Sequence, residues 1–235
     1  MNELLLAITA AFSALFVVGG WKLGKERLYS VMIVFLILVA TVGSKLVYFF
    51  GHETNTGNVF YASVFLATYF LIERYGRREG LFSIWVGVAA VTFFTLCVQI
   101  TIALVGSGTT ATLNAGLAIA LSSTPRIALA SLVAYACSQT LNVYVYLFLK
   151  ERFQSRYLWM RANIANAIAQ AVDSLIFFTI AFAGVVTSSS IVGIVLTGFV
   201  IKVLYMMAAS TLLYLNKIEE EENGSGDVTV TLRMR

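Results

Sequence analysis

Charge is scarce in this sequence. Only 12% of its 235 residues are Asp, Glu, Lys or Arg, about half the share of an ordinary soluble domain. So little polar surface cannot clothe a water-soluble globule, which excludes the soluble enzyme folds. Histidine occurs once, at His52, so no His cluster can form. The two cysteines, Cys97 and Cys137, both lie in apolar runs, which argues against a disulfide framework and a Cys metal site. Proline also occurs once, at Pro125, so few helices carry a forced kink. No HExxH, no P-loop, no Ser-His-Asp set and no aspartate pair for intramembrane proteolysis occurs. A non-enzyme without metal or cofactor is expected.

Apolar residues fill the space that charge leaves. They make up 59% of the chain, and the mean hydropathy is +0.85. The reading is an all-α, polytopic membrane bundle with the lipid bilayer as its solvent. A spanning helix takes about 20 apolar residues, and seven segments qualify or come close. They are Leu4–Trp21, Leu28–Phe50, Val59–Glu73, Leu81–Val105, Pro125–Leu149, Ala162–Val186 and Ile191–Leu215. The third is short and amphipathic and is expected to be tilted or partly interfacial. The first lacks a basic start and a cleavage site, so it reads as a retained helix. AGLAIALSS, after the loop Gly106–Asn114, is too short to span and reads as a re-entrant or lid helix. Residues 1–216 form one transmembrane domain in this reading. Residues 217–235, with their EEEE and GSG runs, form a solvated, disordered cytoplasmic tail.

The loops alternate in charge. Lys22, Lys25 and Arg27 lie between the first two segments, and Arg74, Arg77 and Arg78 between the third and fourth. Lys150, Arg152, Arg156 and Arg161 lie between the fifth and sixth. The intervening loops, Gly51–Asn58, Gly106–Thr124 and Thr187–Ser190, contain no Lys or Arg. Positive residues stay on the cytoplasmic side, so the N-terminus is expected outside and the C-terminus inside. The net charge of +4 is explained by these loops, and no nucleic-acid partner is expected.

Ionisable groups inside spans are costly and mark candidate functional sites. Asp173 lies midway along the sixth segment and Lys202 midway along the seventh. Lys45 lies toward the outer end of the second, Arg126 opens the fifth, and Glu73 closes the third. Asn163, Asn166, Gln170 and Asp173 are spaced 3, 4 and 3 apart and form one helix stripe. Ser138, Gln139 and Asn142 form a second polar patch on the fifth segment. Amides both donate and accept, which suits a neutral, heteroatom-rich ligand better than a bare ion. The alternatives stay open. Each amide is also explained by a bond between helices, Asp173 by a pair with Lys202 or Lys45, Lys45 by snorkelling, and Glu73 by a pair with Arg77. Tyr144 and Trp159 are candidates for stacking on a ligand ring or for the aromatic belt. Gly20 and Gly24 form a GxxxG that would suit partner docking.

Several separated stretches resemble one family. Asn58–Gly80 reads NVFYASVFLATYFLIERYGRREG, with FLAT at Phe65–Thr68 followed by Glu73, Tyr75 and Gly76. Pro125–Arg152 reads PRIALASLVAYACSQTLNVYVYLFLKER, Tyr157–Phe182 reads YLWMRANIANAIAQAVDSLIFFTIAF, and Lys202–Tyr205 reads KVLY. In order and spacing they resemble the queuosine precursor transporter family, also known as the vitamin uptake transporter family. Two positions depart from its pattern: Tyr69 and Asn142 stand where the family usually has Asp. The resemblance implies import of a queuosine or archaeosine precursor, a 7-deazaguanine such as 7-cyano-7-deazaguanine or 7-aminomethyl-7-deazaguanine. It also implies a fold like the substrate-binding components of energy-coupling-factor transporters, and a prokaryotic cell membrane as the location. Asp173 is then the candidate acceptor for the ring N1–H and exocyclic amine. Gln170, Gln139, Asn142, Asn166 and Arg126 are the further substrate-binding candidates. Lys202, Lys45 and Glu73 are candidates for coupling or a structural ion pair. The alternatives are a substrate-binding subunit needing a separate ATPase module, or a carrier of another small heteroaromatic solute. A homo-oligomer is also compatible with the sequence.

Overall fold

The computed structural model describes residues 1–43, 45–121, 125–153, 157–182 and 189–216. The expected tail, residues 217–235, lies outside them. Among the described residues the chain is helical almost throughout. The helices are α1 (Asn2–Lys22), α2 (Lys25–Thr41), α3 (Gly57–Tyr75), α4 (Arg77–Ala103), α5 (Ala111–Leu121), α6 (Pro125–Arg152), α7 (Leu158–Phe182) and α8 (Ser189–Ala209). A 3-10 segment, Ser210–Tyr214, extends α8. Five of these helices are long and apolar enough to cross a membrane: α1, α4, α6, α7 and α8 with its extension. The molecule is an all-α, multi-pass membrane bundle.

The exposed surface confirms which solvent the bundle meets. Phe12, Trp85, Phe93, Leu96, Leu129, Phe148 and Leu175 are each at least half exposed. In water such a surface would be an aggregation hazard; in hydrocarbon it is the outside of the protein. Cys97 and Cys137 are free and exposed on the same kind of surface.

The seven expected segments correspond to the long helices, with two corrections. The second does not continue to Phe50. Helix α2 closes where the Gly43 amide bonds back to the Leu38 carbonyl at 3.0 Å. The chain then turns into a hairpin of β1 (Leu46–Phe49) and β2 (His52–Asn55), pairing antiparallel with Val47 opposite Thr54 and Tyr48 opposite Glu53. Phe50 and Gly51 form its turn with φ of 47° and 79°, the pair of positive φ values that a tight hairpin needs. The aromatic and β-branched residues of LVYF favour a strand. Lys45 is therefore exposed in the connection before β1, outside any helix and not part of a membrane-buried pair.

The second correction concerns α3. It is neither tilted outward nor interfacial: every residue from Ala62 to Ile72 is buried. Helices α1, α2, α4, α6 and α8 all pack against it. Small and bulky apolar residues alternate all around its surface (Ala62, Val64, Phe65, Leu66, Ala67, Phe70), and a helix apolar on all sides belongs inside. A hydrogen bond from Ser63 Oγ to Tyr205 Oη, 2.7 Å, ties it to α8.

Helices α6 and α7 form the closest antiparallel pair. Ala162, Ala165 and Ala169 on α7 are fully buried, and small residues let helix backbones approach. Gly20 serves the same purpose between α1 and α2. A Cβ there would lie 2.8 Å from Val31 Cγ2, so this glycine is used within the chain rather than for docking a partner. Helix α5, the short segment read as a lid or re-entrant element, has no buried residue and lies against α4 and α2.

Candidate functional site

The two ends of the bundle differ in charge. Lys22, Lys25, Arg77, Lys150 and Arg152 all sit at the ends of α1, α2, α4 and α6 that share one side. The hairpin, α5 and the start of α6 lie at the other, neutral end. There the Glu53 carboxylate, opposite Tyr48 in the hairpin, raises the Tyr48 phenol above its ordinary pKa through a hydrogen bond and its charge.

A cavity of about 410 Å³ opens in the neutral half, walled by α2, α3, α4, α6, α7 and α8. Its size falls in the range of small-molecule sites, about 300–1,000 Å³. Most of the wall is apolar, including Leu36, Val98, Leu132 and Phe177, and a few polar groups converge on it: Asn55, Asn58, Tyr61, Tyr135, Asp173 and Lys202.

Asp173 is held from two neighbouring helices. The Tyr61 hydroxyl of α3 donates to its Oδ1 at 2.7 Å, and the Ser138 hydroxyl of α6 donates to the same oxygen at 3.1 Å. Both bonds go to Oδ1, which leaves Oδ2 for a ligand. Lys202 Nζ lies 5.2 Å from the centroid of the Tyr61 ring, a cation–π distance, and its side chain lines the same cavity. The Tyr61 and Tyr135 rings are 6.3 Å apart, inclined at 59°. The buried Tyr135 hydroxyl and Asn55 Oδ1 have no hydrogen-bond partner. Buried polar atoms in native proteins are almost always paired, so these two point to a ligand or water. The backbone keeps the space open. A Cβ on Gly198 would come within 2.8 Å of Asn58 Nδ2, and one on Gly87 would collide with the Tyr135 hydroxyl.

The other sequence candidates divide into groups. Gln139, Asn142, Asn166 and Gln170 are fully buried, but in the α6–α7 interface rather than in the cavity wall. Asn142 Nδ2 donates to Gln139 Oε1 at 3.3 Å, and Gln170 Nε2 lies 3.5 Å from Asn166 Oδ1. Tyr69 and Asn142, the two departures from the family pattern, meet each other: the Tyr69 hydroxyl donates to Asn142 Oδ1 at 2.6 Å and to the Ala162 carbonyl at 3.0 Å. Arg126 lies at the neutral end and donates through Nε to the Ile180 carbonyl at 2.7 Å, which ties the start of α6 to the end of α7. Glu73 pairs not with Arg77 but with Lys150 at 3.1 Å and Arg161 at 3.5 Å. Arg77 instead lies over the Tyr144 ring and donates to its hydroxyl. Tyr144 and Trp159, offered as stacking candidates, are 46% and 47% exposed and away from the cavity. The aromatic side chains that do line the cavity include Tyr61 and Tyr135 together with Phe94, Phe177 and Phe178. Of the two tyrosines only Tyr135, three residues before Ser138 on α6, shares a helix face with a sequence candidate.

Comparison with known proteins identifies the family. Residues 55–216 match the family described as "Putative vitamin uptake transporter". The chain is 32% identical over 184 residues to the "Probable queuosine precursor transporter" of Bacillus subtilis (strain 168), an alignment covering 77% of this chain and 80% of that protein. No solved structure matches it. An apolar multi-pass bundle that carries the family's sequence along most of its length is a membrane transporter rather than an enzyme, and the chain belongs to the vitamin uptake transporter family.

Proposed function

We propose that this transporter imports a 7-deazaguanine precursor of queuosine or archaeosine, such as 7-cyano-7-deazaguanine or 7-aminomethyl-7-deazaguanine, across a prokaryotic cell membrane. The observation that carries the reading is the presence of Asp173 and Lys202 in the lining of one cavity, both in contact with Tyr61. A guanine-like edge presents two adjacent donors, the ring N1–H and the exocyclic amine, next to a carbonyl acceptor. A carboxylate accepts from both donors, and Lys202 is the matching donor for the carbonyl. Tyr61 and Tyr135 supply aromatic faces for the bicyclic ring. The relative's printed name supports the substrate class. The neutral end faces outward in this reading, because the ten basic loop residues belong inside.

Ligand-induced thermal stabilisation of the purified protein tests it. The panel holds both 7-deazaguanines, queuine, guanine and several vitamins. At about 100 times its dissociation constant a ligand adds about 2.7 kcal/mol of stability. A deazaguanine is expected to raise the unfolding midpoint, and Asp173→Asn, which turns an acceptor edge into a mixed one, to abolish the rise. A shift with an unrelated vitamin alone would move the substrate elsewhere. An Asp173→Asn protein that binds as well as wild type would remove this residue from the site.

A further inference from the structure

Polar groups do not stop at the floor of the cavity. From Asp173 toward the basic end, Gln170 and Asn166 continue down one face of α7 to Asn163, which bonds to Ser210 at 2.9 Å. Gln139 and Asn142 are buried on α6, and the Tyr69 hydroxyl joins Asn142 to the Ala162 carbonyl of α7. Tyr69 of α3 closes the third side, its ring stacked on Tyr146 at 4.6 Å. The column ends in a buried ionic cluster. A single oxygen, Glu73 Oε1, receives Lys150, Arg161 and the Tyr146 hydroxyl, the last at 2.9 Å.

Much of this column is unmet. Gln139 Nε2, Asn166 Nδ2 and Gln170 Oε1 have no hydrogen-bond partner although their side chains are fully buried. The same holds for all three nitrogens of Arg161, which is 0% exposed and makes only the 3.5 Å ion pair and a contact over the Tyr146 ring. Asn163 Oδ1 is unpaired as well, so the amides hold two orphaned donors and two orphaned acceptors, and the surplus of donors comes from Arg161 alone. Two cations share one carboxylate oxygen, so the cluster carries excess positive charge, with Lys150 at its half-buried rim and Arg161 fully buried. A buried ion pair of this kind contributes little net stability, because desolvation offsets its attraction. It can open without a large loss, and opening would hydrate the Arg161 guanidinium that now lacks partners.

We propose that this α3–α6–α7 column is the route by which the ligand leaves the cavity, with the Glu73–Arg161–Lys150 cluster and the Tyr69–Tyr146 stack as its gate at the basic end. The amides that are unpaired in the closed state become the ligand's contacts in the open one. Two unpaired amide donors, Gln139 Nε2 and Asn166 Nδ2, and two unpaired amide acceptors, Gln170 Oε1 and Asn163 Oδ1, suit a cargo that carries both donors and acceptors. The inference rests on the transport reading above, and its test does not need the substrate to be known.

The experiment uses the full chain with Cys97 and Cys137 replaced by Ala and one cysteine introduced at Asn166. Labelling by a membrane-impermeant maleimide is followed in vesicles of both orientations. Asn166→Cys is expected to be nearly unreactive in the intact gate. With Glu73→Gln added, its labelling from the basic side is expected to rise at least tenfold, while a buried apolar control, Val17→Cys on α1, stays unreactive. Lys150→Gln, which removes the more exposed cation, serves as the milder second variant if Glu73→Gln does not fold. An unchanged Asn166→Cys in a gate variant that remains monodisperse and is still stabilised by a deazaguanine overturns the route and leaves the proposed substrate standing. Equal acceleration at Val17→Cys means general loosening and also overturns it. Gain of reactivity, where the chain with Asn166 and Glu73 unaltered binds none of the panel, upholds the route and rejects the substrate.

Discussion

Asp173 illustrates how much one oxygen atom can decide. Tyr61 and Ser138 converge on Oδ1 from two helices, so the carboxylate plane is fixed before any ligand arrives. Such preorganisation lowers the cost of binding. Removing the phenol hydroxyl leaves Ser138 as the only anchor and frees the carboxylate to rotate. A hydrogen bond to a charged group contributes about 1.5–3 kcal/mol. Tyr61→Phe is therefore expected to weaken ligand binding about tenfold or more while the helices and the aromatic wall stay in place. Isothermal titration of the variant against wild type checks this. An unchanged affinity would mean that Ser138 alone orients the acid. Asp173 and Lys202 were legible in the sequence because charge is conspicuous where everything around it is apolar. Tyr61 and Tyr135 were not, since a tyrosine in an apolar run reads equally well as core, lipid contact or ligand platform.

At the level of the element, α7 was the most readable and α3 the least. The stripe Asn163, Asn166, Gln170, Asp173 follows the helical period, and the structure puts its members on one continuous face. Helix α3 reads as amphipathic because of Ser63, Thr68, Tyr69 and Glu73, but the first three are buried against neighbouring helices rather than turned to an interface, and sequence alone does not tell a polar face that meets protein from one that meets water. The hairpin escaped for a related reason: LVYF following an apolar helix is indistinguishable from one more helical turn by hydrophobicity alone, and only Gly43 and Gly51 hint at the break. The helix α7 also shows why its amides reach α6. Ala162, Ala165 and Ala169 are each 0% exposed, and their small volume sets the spacing between the two axes. Ala165→Leu adds three carbons where no room exists. Overpacking of this kind typically costs about 1–3 kcal/mol. The expected result is a lower thermal midpoint together with weaker ligand binding, because separating α7 from α6 parts Asp173 from Ser138. A midpoint lowered with binding intact would show that the cavity is held by α3 and α8 instead.

For the whole molecule, the cavity's place gives orientation a functional meaning. The polar cavity lies in the half of the bundle whose end is poor in basic residues, with only Lys45 before the hairpin and Arg126 at the start of α6, and the ionic cluster lies at the end where they gather. In the import reading proposed above, retention of Lys and Arg on the cytoplasmic side puts the neutral end outside and the cavity open toward the side from which a nutrient comes. That reading ties the direction of transport to the distribution of charge in the loops rather than to anything in the cavity itself. Two single cysteines in the cysteine-free chain test the tie. His52, in the hairpin, and Glu151, at the end of α6, are both exposed and lie at opposite ends. His52→Cys is expected to react with an impermeant maleimide in intact cells, and Glu151→Cys only after the membrane is opened. The reverse pattern would turn the cavity toward the cytoplasm. The same Asp173 and Lys202 would then load cargo from inside, and the import reading would fall even if a deazaguanine bound tightly.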